Sequence, residues 1–466
     1  MIDVEVFDRL LLAILPPEHI YAVGGRVRDE IRAQHGQVKL ALKDADYVVT
    51  GLPLADLVAA LTPHGRVDQV GANFSVIKFT REGDTVDIAL PRREYSTGSG
   101  HRDFHIESGP EVPLVADLAR RDFRMNMLAR SLATGEVVDP YGGVADILAR
   151  RIDILSAQTF LEDPLRMLRA CQFAARFEYT LTSATQAAMH DAHAWIRSVS
   201  AQRVGDEFSK LLQLATRPSI GFEYMRSTRL LSCIWPELEE GVGMEQNEWH
   251  AYDVYRHNLE TLDAMPRRDV ITRLAALLHD VGKPRVKDGP HFYRHEIVGA
   301  EIADDMLRRL ALSNETISST VHLIRQHMYS VDSSQSDAAI RRFIKRIGPE
   351  HIDRLFALRV ADICGSGLPK RSGENEAFEA RVAAELRREP AVSVADLAVN
   401  GQDVLAAFIQ AGEPPSFRGD RRVGVVLHDL LEIILENPSE NTREVLSQYL
   451  HTLVRRPRSK QRSVAR

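Results

Sequence analysis

The spacing of hydrophobic and polar positions changes near residue 160, and this change predicts two kinds of architecture. Before that point, short β-branched or aromatic runs at 20–23, 47–49, 75–79 and 85–90 are typical of strands. Helical stretches such as 54–61 alternate with them, and an amphipathic helix is expected near the N-terminus. The pair Gly83-Asp84 predicts a tight turn between the last two strands. We therefore expect this half to be α/β or α+β.

From Glu162 onward, apolar residues recur at three- and four-residue steps, which predicts an all-helical remainder. Breaks at 236–243 and 365–375 divide the helical part. The last twelve residues, from Arg455, include six basic ones, which indicates a solvated or RNA-contacting tail. We expect four regions, with boundaries at 1–150, 151–245, 246–370 and 371–466.

Composition narrows the class of protein. The chain has 466 residues, a net charge of -6, 44% hydrophobic and 27% charged residues, which excludes disordered, collagen-like and purely coiled-coil proteins. No window approaches the roughly 18 unbroken apolar residues of a membrane span. The acidic N-terminus differs from a signal peptide, and three widely spaced cysteines suit a reducing compartment, so a cytoplasmic protein is expected. Any nucleic-acid binding must use a local basic surface.

Three acids are candidates for a magnesium site. Asp44 and Asp46 lead into a strand, where alternate side chains point to one face. Adjacent carboxylates repel unless a cation lies between them, and Mg²⁺ binds carboxylate and phosphate oxygens. Asp87 lies in a neighbouring apolar strand and is either a third metal ligand or an outward-facing strand residue. A turn with two solvated acids is the alternative for Asp44 and Asp46.

Two further stretches are suited to binding phosphate. Gly24 and Gly25 lie between a strand and a helix, where backbone N–H groups can approach an anion, and Arg28 would add a charge-assisted contact. Arg121 and Asp122 lie in RRDFRMN at 120–126, and they would bind nucleotide phosphate and a ribose hydroxyl. The alternatives are a structural glycine turn and a capped, charged helix end.

A helix predicted from residue 163 carries a possible base-recognition pair. Asp163, Arg166, Arg169 and Gln172 follow at three-residue steps, and we expect them to share one face. Cytosine and adenine each place an amine donor beside a ring-nitrogen acceptor, so Asp163 would accept from the amine while Arg166 donates to the ring. Uracil and guanine show the inverse pattern and would be rejected. The alternative is a local Asp163–Arg166 salt bridge.

Together these stretches resemble the bacterial tRNA nucleotidyltransferases of the class that also contains bacterial poly(A) polymerases. The matching segments are GGRVRD, LKDADYVVTG, VDIALPRREYSTGSG, RRDFRMNMLA, VVDPYGG and LEDPLRMLRACQFAARF. The resemblance implies a polymerase-β-like α/β head at 1–150, a helical neck at 151–245, and a helical tRNA-binding tail at 371–466. It assigns metal binding to Asp44 and Asp46. Gly25 and Arg28 would contact the triphosphate, and Arg121 and Asp122 would contact nucleotide phosphate and ribose. Base selection falls to Glu162, Asp163 and Arg166, with Arg169 a further nucleotide contact.

Two positions depart from the family pattern. A small hydroxyl residue usually follows RRDF, where this chain has Arg124, and an arginine usually lies where it has Gln172. Arg124 would then supply the nucleotide contact that the family's arginine makes at the position of Gln172. The segment 94–115 resembles the family's mobile loop beside the catalytic site. The departures bear on nucleotide preference and leave the metal site untouched.

A second constellation lies in the helical part. His257, the adjacent His279-Asp280 and the distant Asp362 form a set whose nitrogen and oxygen donors suit Mn, Fe, Co, Ni or Zn. The segment resembles an HD-type metal phosphohydrolase domain over about 250–365, placed within region 246–370. The resemblance makes these four residues metal ligands and gives His295 and His327 to a second metal. The alternative is a structural brace with ordinary core histidines.

The predicted function is template-independent addition of CCA to the tRNA 3′ end, with CTP and ATP as donors and Mg²⁺ in the head. Two magnesium ions would activate the 3′ hydroxyl and stabilise the leaving pyrophosphate. A CC-only or A-only enzyme and a poly(A) polymerase are related alternatives. An HD phosphohydrolase whose head only binds RNA is the alternative of another class. The sequence does not define the oligomeric state.

Overall fold

The computed structural model describes residues 4–38, 45–70, 76–96, 104–267, 269–332, 334–369 and 373–455. Asp44, the centre of the predicted loop within 94–115 and the basic C-terminal segment from 456 lie outside these residues. Across the described ranges, none of the helices combines the length and apolar character needed to cross a membrane.

The strands lie mainly in the first 150 residues, and helices form nearly all of the rest, as predicted. The strands are β1 (Ile20–Val23), β2 (Asp46–Val49), β3 (Arg66–Val70), β4 (Val76–Arg81), β5 (Asp84–Ala89), β6 (Arg92–Ser96), β7 (Phe104–Ser108), β8 (Ala129–Ser131), β9 (Val137–Val138), β10 (Arg151–Ile152) and β11 (Thr180–Leu181). The helices are α1 (Val4–Ile14), α2 (Gly25–Gln34), α3 (Leu54–Leu61), α4 (Leu114–Ala119), α5 (Gly143–Leu148), α6 (Gln158–Glu162), α7 (Leu165–Phe177), α8 (Ser183–Ala192), α9 (Ala201–Leu214), α10 (Ser219–Ser227), α11 (Leu230–Ile234), α12 (Pro236–Glu239), α13 (Val254–Ala264), α14 (Val270–Leu278), α15 (Lys283–Val286), α16 (His295–Arg309), α17 (Asn314–Gln326), α18 (Asp337–Ile347), α19 (Pro349–Gly365), α20 (Glu374–Leu386), α21 (Gly401–Gln410), α22 (Arg421–Glu436) and α23 (Arg443–Leu453).

A mixed sheet organises the head, with strand order β3-β4-β5-β2-β1-β8-β9 in the described part of the chain. The parallel pair β2–β5 lies at its centre, and the other pairs in this sheet are antiparallel. The β4–β5 hairpin is confirmed, but its turn is Glu82-Gly83 rather than Gly83-Asp84. Arg81 pairs with Asp84, and both turn residues have positive φ. The pairing register of β4 and β5 thus fixes a two-residue loop at Glu82-Gly83.

The described residues form two large apolar cores and a small third cluster in the head around Val23, Val48 and Leu118. One large core is continuous from the head through the helical part to Val382, and the other joins buried residues from Ala391 to Val454. The second core is docked by Arg341, whose Nε donates to the carbonyl oxygen of Leu435 at 2.6 Å and whose Nη1 donates to Glu385 at 2.7 Å. A buried guanidinium thus covers the C-terminal end of α22. The region boundaries given by the sequence remain predictions.

Candidate functional site

The register of the central sheet brings two of the three predicted magnesium ligands side by side. Asp46 on β2 is the parallel pairing partner of Asp87 on β5. Lys78 on β4 is the antiparallel partner of Asp87, and its Nζ lies 3.5 Å from the Asp87 carboxylate. Neighbours across a sheet point to the same face. The described donors are carboxylate oxygens, which fit Mg²⁺.

The glycine turn beside this edge lets two arginines approach the start of α2. Gly24 has φ +65°, and a Cβ there would lie 2.6 Å from Nη1 of Arg121. A Cβ on Gly25 would lie 3.4 Å from Nη2 of Arg28. Only glycine at 24 allows both this backbone conformation and the contact with Arg121. The structure therefore gathers Gly25, Arg28 and Arg121 around one helix N-terminus, a favourable place for phosphate.

A buried acid that was not predicted from the sequence holds the arginines of RRDF. Asp117 lies within α4 and accepts from Arg120 at 2.7 Å and from Arg121 at 3.0 Å. Burial alone would raise the pKa of Asp117, but Arg121 and Arg120 outweigh it and lower the pKa. The sequence does contain an indication of these contacts, because Asp117 precedes Arg120 by three residues and Arg121 by four, the spacing of neighbours on a helix face.

One buried chain of hydrogen bonds links the glycine turn to the neck. Arg28 donates through Nη1 to Asn126 Oδ1 at 2.7 Å, and Asn126 Nδ2 donates to Asp122 Oδ1 at 2.8 Å. Asp122 Oδ2 accepts from Arg169 Nη2 at 2.7 Å. Burial would raise the pKa of Asp122, but Arg169 more than offsets it, so the acid stays ionised. Asn126 joins both halves, and no role for it was predicted from the sequence.

The predicted base-recognition residues lie around the start of α7, where Arg166 and Asp163 each have partners within the protein. Arg166 donates to Glu162 Oε2 at 3.2 Å and to the Arg120 carbonyl at 2.7 Å. Asp163 Oδ1 accepts from the Leu165 amide at 3.2 Å, and its Oδ2 accepts from Arg203 on α9 at 2.9 Å. The alternative of a local Asp163–Arg166 salt bridge is therefore not what the structure places there.

The expectation that Gln172 shares a face with Asp163 is wrong. Asp163 precedes α7 and has an extended backbone (φ -142°, ψ 97°), so it shares no helix face with Gln172. Gln172 is buried, whereas Asp163 is partly exposed. Arg124 lies 3.1 Å from the Asp153 carboxylate, and Asp153 also accepts from the hydroxyl of Thr182. In the structure, the guanidinium of Arg124 is therefore paired with Asp153.

The predicted histidines and acids of the helical part converge, although they come from five places in the chain. His257 Nε2 lies 3.1 Å from His279 Nε2, 3.1 Å from Asp362 Oδ1 and 3.4 Å from Asp280 Oδ2. On the other side, Asp280 Oδ1 lies 3.3 Å from His295 Nε2. Neighbouring ligands of an octahedral metal are about 3 Å apart when the bonds are about 2.1 Å. The spacing therefore fits a cation that His257, His279, Asp280 and Asp362 would hold, and a second that Asp280, His295 and His327 would hold.

The proton positions of this cluster also fit a cation. Nδ1 of His295 is 2.7 Å from the Phe292 carbonyl, and Nδ1 of His327 is 2.6 Å from the Ile324 carbonyl. A carbonyl oxygen only accepts, so each Nδ1 carries the proton and each Nε2 presents a lone pair. These two Nε2 atoms lie 3.2 Å apart. Facing lone pairs at that distance repel unless a cation binds both.

The pKa shifts within the cluster also indicate a place suited to a cation. Burial lowers the pKa of an imidazole, but Asp280 outweighs it and raises the pKa of His279 to about 10. For His327, burial and then the neighbouring His279 lower the pKa to about 3, which keeps the ring neutral. The cluster borders a cavity of about 610 Å³ whose rim includes Trp249 and Tyr293. The site is thus open to a substrate.

Comparison with known proteins finds three family matches along the chain. Residues 20–153 match the poly A polymerase head domain, 178–241 the probable RNA- and SrmB-binding site of polymerase A, and 250–366 the HD domain. The multifunctional CCA protein of Cupriavidus necator is 33% identical over 405 residues, which cover 83% of this chain and 94% of that protein. This chain belongs to the family of multifunctional CCA proteins. A second member of that family, from Xanthomonas campestris pv. campestris, is 31% identical over 87% of this chain and 98% of its own length.

Solved structures show that the fold of this multifunctional CCA family member is shared. The Bacillus stearothermophilus CCA-adding enzyme in complex with CTP aligns with a TM-score of 0.66 at 18% identity, over 97% of this chain and 98% of that one. The Thermotoga maritima CCA-adding enzyme complexed with tRNA aligns with a TM-score of 0.54 at 19% identity, over 97% and 96%. The predicted family and the α+β head followed by a helical body are confirmed. The roles of individual site residues remain predictions.

Proposed function

We propose that this protein adds CCA to the 3′ end of tRNA, using CTP and ATP as donors and releasing pyrophosphate. The observation that carries the proposal is the buried path Arg28–Asn126–Asp122–Arg169, which joins a phosphate-binding turn to the helix with Asp163 and Arg166. Such a path fixes a base-recognition pocket at a set distance from a triphosphate site. The names of the similar proteins add CCA to this chemistry, and one of the similar solved structures is a CCA-adding enzyme complexed with tRNA.

In the head, Asp46 and Asp87, with Asp44 by sequence, would hold magnesium. Bound there, Mg²⁺ supplies activation of the tRNA 3′ hydroxyl and charge neutralisation for the leaving pyrophosphate. Arg28 and Arg121 bind the triphosphate at the start of α2, so that the α-phosphorus faces the hydroxyl in line. Positioning and electrostatics then account for most of the acceleration.

In the neck, Asp163 and Arg166 select the base without a nucleic-acid template. Glu162 and the Arg120 carbonyl hold Arg166, and Arg203 holds one oxygen of Asp163. Arg169 keeps Asp122 ionised for contact with ribose. The tail and the basic C-terminus would contact tRNA mainly through phosphates and shape, which makes binding salt-sensitive. We place this activity in the cytoplasm.

Replacing Asp163 by Ala is expected to weaken discrimination between CTP and UTP by about 10- to 100-fold, because a good bidentate base contact is worth about 1–3 kcal/mol. The measurement is single-nucleotide addition to tRNA ending at the discriminator base, with each of the four nucleoside triphosphates. Asp191→Ala, an exposed acid on neighbouring α8, is the matched control. Unchanged rejection of UTP by the Asp163 variant would contradict the proposed pocket.

Replacing Asn126 by Ala is expected to weaken CTP and ATP binding by about 10- to 150-fold. The substitution removes two buried hydrogen bonds to charged groups, each worth about 1.5–3 kcal/mol, and leaves Arg28 without this partner. Calorimetric titration with each nucleotide checks the result, and a melting curve checks the fold. If both nucleotides bind with unchanged affinity, the buried path does not shape the nucleotide site.

A second activity is favoured by the convergent cluster of the HD domain. His257, His279, Asp280 and Asp362 would hold one transition metal, and Asp280, His295 and His327 a second, with Mn, Fe, Co, Ni or Zn suited to these donors. Such metals supply an acidified water that attacks a phosphoester. The cavity beside the cluster has room for the end of an RNA chain or a nucleotide. The proposed activity is phosphatase or cyclic phosphodiesterase action on RNA ends.

A further inference from the structure

A seventh residue lies at the metal cluster and has no part in either proposal above. His250 lies between α12 and α13, in the wall of the cavity. Its ring is perpendicular to that of His257, with ring centroids 4.7 Å apart. One ligand atom from each of His250, His257 and Asp362 lies within 4.8 Å of the others. Such a group has the compactness of a metal-binding set.

The orientation of the His250 ring is set by one amide. Asn247 Oδ1 accepts from the Trp249 backbone N–H at 3.2 Å, which identifies that atom as the oxygen. His250 Nδ1 lies 2.9 Å from the same oxygen and must therefore donate to it. Nε2 of His250 is left with its lone pair. The backbone of His250 also donates to the Asn247 carbonyl at 3.2 Å, which fixes the loop.

The same arrangement occurs in three of the other four histidines of the cluster. In His279, His295 and His327, an oxygen acceptor holds Nδ1 and leaves Nε2 for the cluster. Metal-binding histidines typically use such a partner to fix the tautomer and the ring orientation. In His250 the partner is a side chain, and the residue is less buried than the others. It therefore lies on the cavity side.

We infer that Nε2 of His250 is an additional metal ligand of the HD centre, bound on the cavity side to the cation held by His257 and Asp362. This inference rests on the proposed HD metal site. A further nitrogen would favour Co²⁺, Ni²⁺, Zn²⁺ or Fe²⁺ over Mg²⁺. It would also fill a coordination position that otherwise faces the cavity, which limits where a substrate oxygen can bind.

Titration of the full-length, metal-stripped protein with Co²⁺ tests the inference, with calorimetry for affinity and visible absorption for the number of ligands. His250→Ala is expected to weaken the tightest Co²⁺ site at least tenfold and to change its absorption band. Asn247→Ala, which removes only the orienting oxygen, is expected to give a smaller loss, near the roughly tenfold lower end of the usual range for outer partners of metal ligands. His291→Ala is the matched control, because His291 lines the same cavity and is exposed, stacked on Tyr293.

The possible outcomes distinguish failure of His250 as a ligand from failure of the proposed HD metal site. Wild-type affinity and spectrum in His250→Ala, together with abolished binding in His279→Ala, would overturn the role of His250 alone. Failure of the wild-type protein to bind Co²⁺ would overturn both the HD metal site and the ligand. An equal loss in the His291 control would also overturn the inference, since the effect would then come from the cavity wall in general.

Discussion

Replacing Asp46 by Ala is expected to lower the rate of nucleotide addition to tRNA about a thousandfold or more, a loss of ~4 kcal/mol of transition-state stabilisation. Asp46 is the pairing partner of Asp87 in the centre of the sheet, so its removal takes away half of the described carboxylate pair. Magnesium held by the remaining acids would lose a negatively charged ligand and its position relative to the triphosphate. The measurement is single-turnover addition of CMP to tRNA that lacks CCA.

The fold should survive this substitution, because Asp46 is exposed at the start of β2, whereas the next residue, Tyr47, is buried. Asp56→Ala on α3 is the matched control, since Asp56 is an exposed acid of the same head. Binding of CTP in the absence of chemistry should fall much less than the rate. A wild-type rate of CMP addition by Asp46→Ala would show that the catalytic magnesium does not bind at Asp46 and Asp87.

Replacing His279 by Ala is expected to weaken transition-metal binding in the HD domain at least a hundredfold and to abolish its phosphohydrolase activity. His279 Nε2 lies 3.1 Å from His257 Nε2 and 3.3 Å from Asp280 Oδ2, so the variant loses a nitrogen from the centre of the cluster. CCA addition should persist, because the head ligands belong to a different sheet-based site. Metal content after dialysis and hydrolysis of a 2′,3′-cyclic nucleotide are the two readouts.

His322→Ala is a suitable control for that experiment. His322 belongs to the same domain, is partly buried and bonds to the Ile347 carbonyl at 2.7 Å, away from the cluster. It should keep both metal and hydrolysis. Unchanged metal content in His279→Ala would mean that the histidines are a structural brace, the alternative that the sequence left open.

Much of the head was predictable because its signals are local. Strand runs, the glycine turn and the acids of β2 and β5 follow from alternation and turn chemistry. The short strands β8 and β9 were missed, since they are held by pairing with β1 rather than by their own composition. The Glu82-Gly83 turn was misplaced by one residue, because the register of β4 and β5, not the Gly-Asp pair, sets where the strands end.

Contacts between residues that are distant in sequence could not be predicted from local patterns. The salt bridge between Asp163 and Arg203, forty residues away on α9, was not predicted. Gln172 was expected to share a helix face with Asp163, but Asp163 precedes α7 and has an extended backbone. Asn126 joins Arg28 to Asp122 only once the head and neck have packed. The HD cluster was predicted from residue types and family resemblance, but that Asp280 lies between two sets of donors needed the fold.

The central claim, that the protein completes CCA on tRNA, is tested most directly on a sequencing gel. Purified full-length protein and Mg²⁺ would be given tRNAs ending at the discriminator base, at C or at CC, with CTP, ATP or both. We expect addition of CC from CTP, of A only after CC, and a stop once CCA is complete. Addition of only CC or only A, a long ladder of A, or no addition to any of these ends would contradict the proposed function.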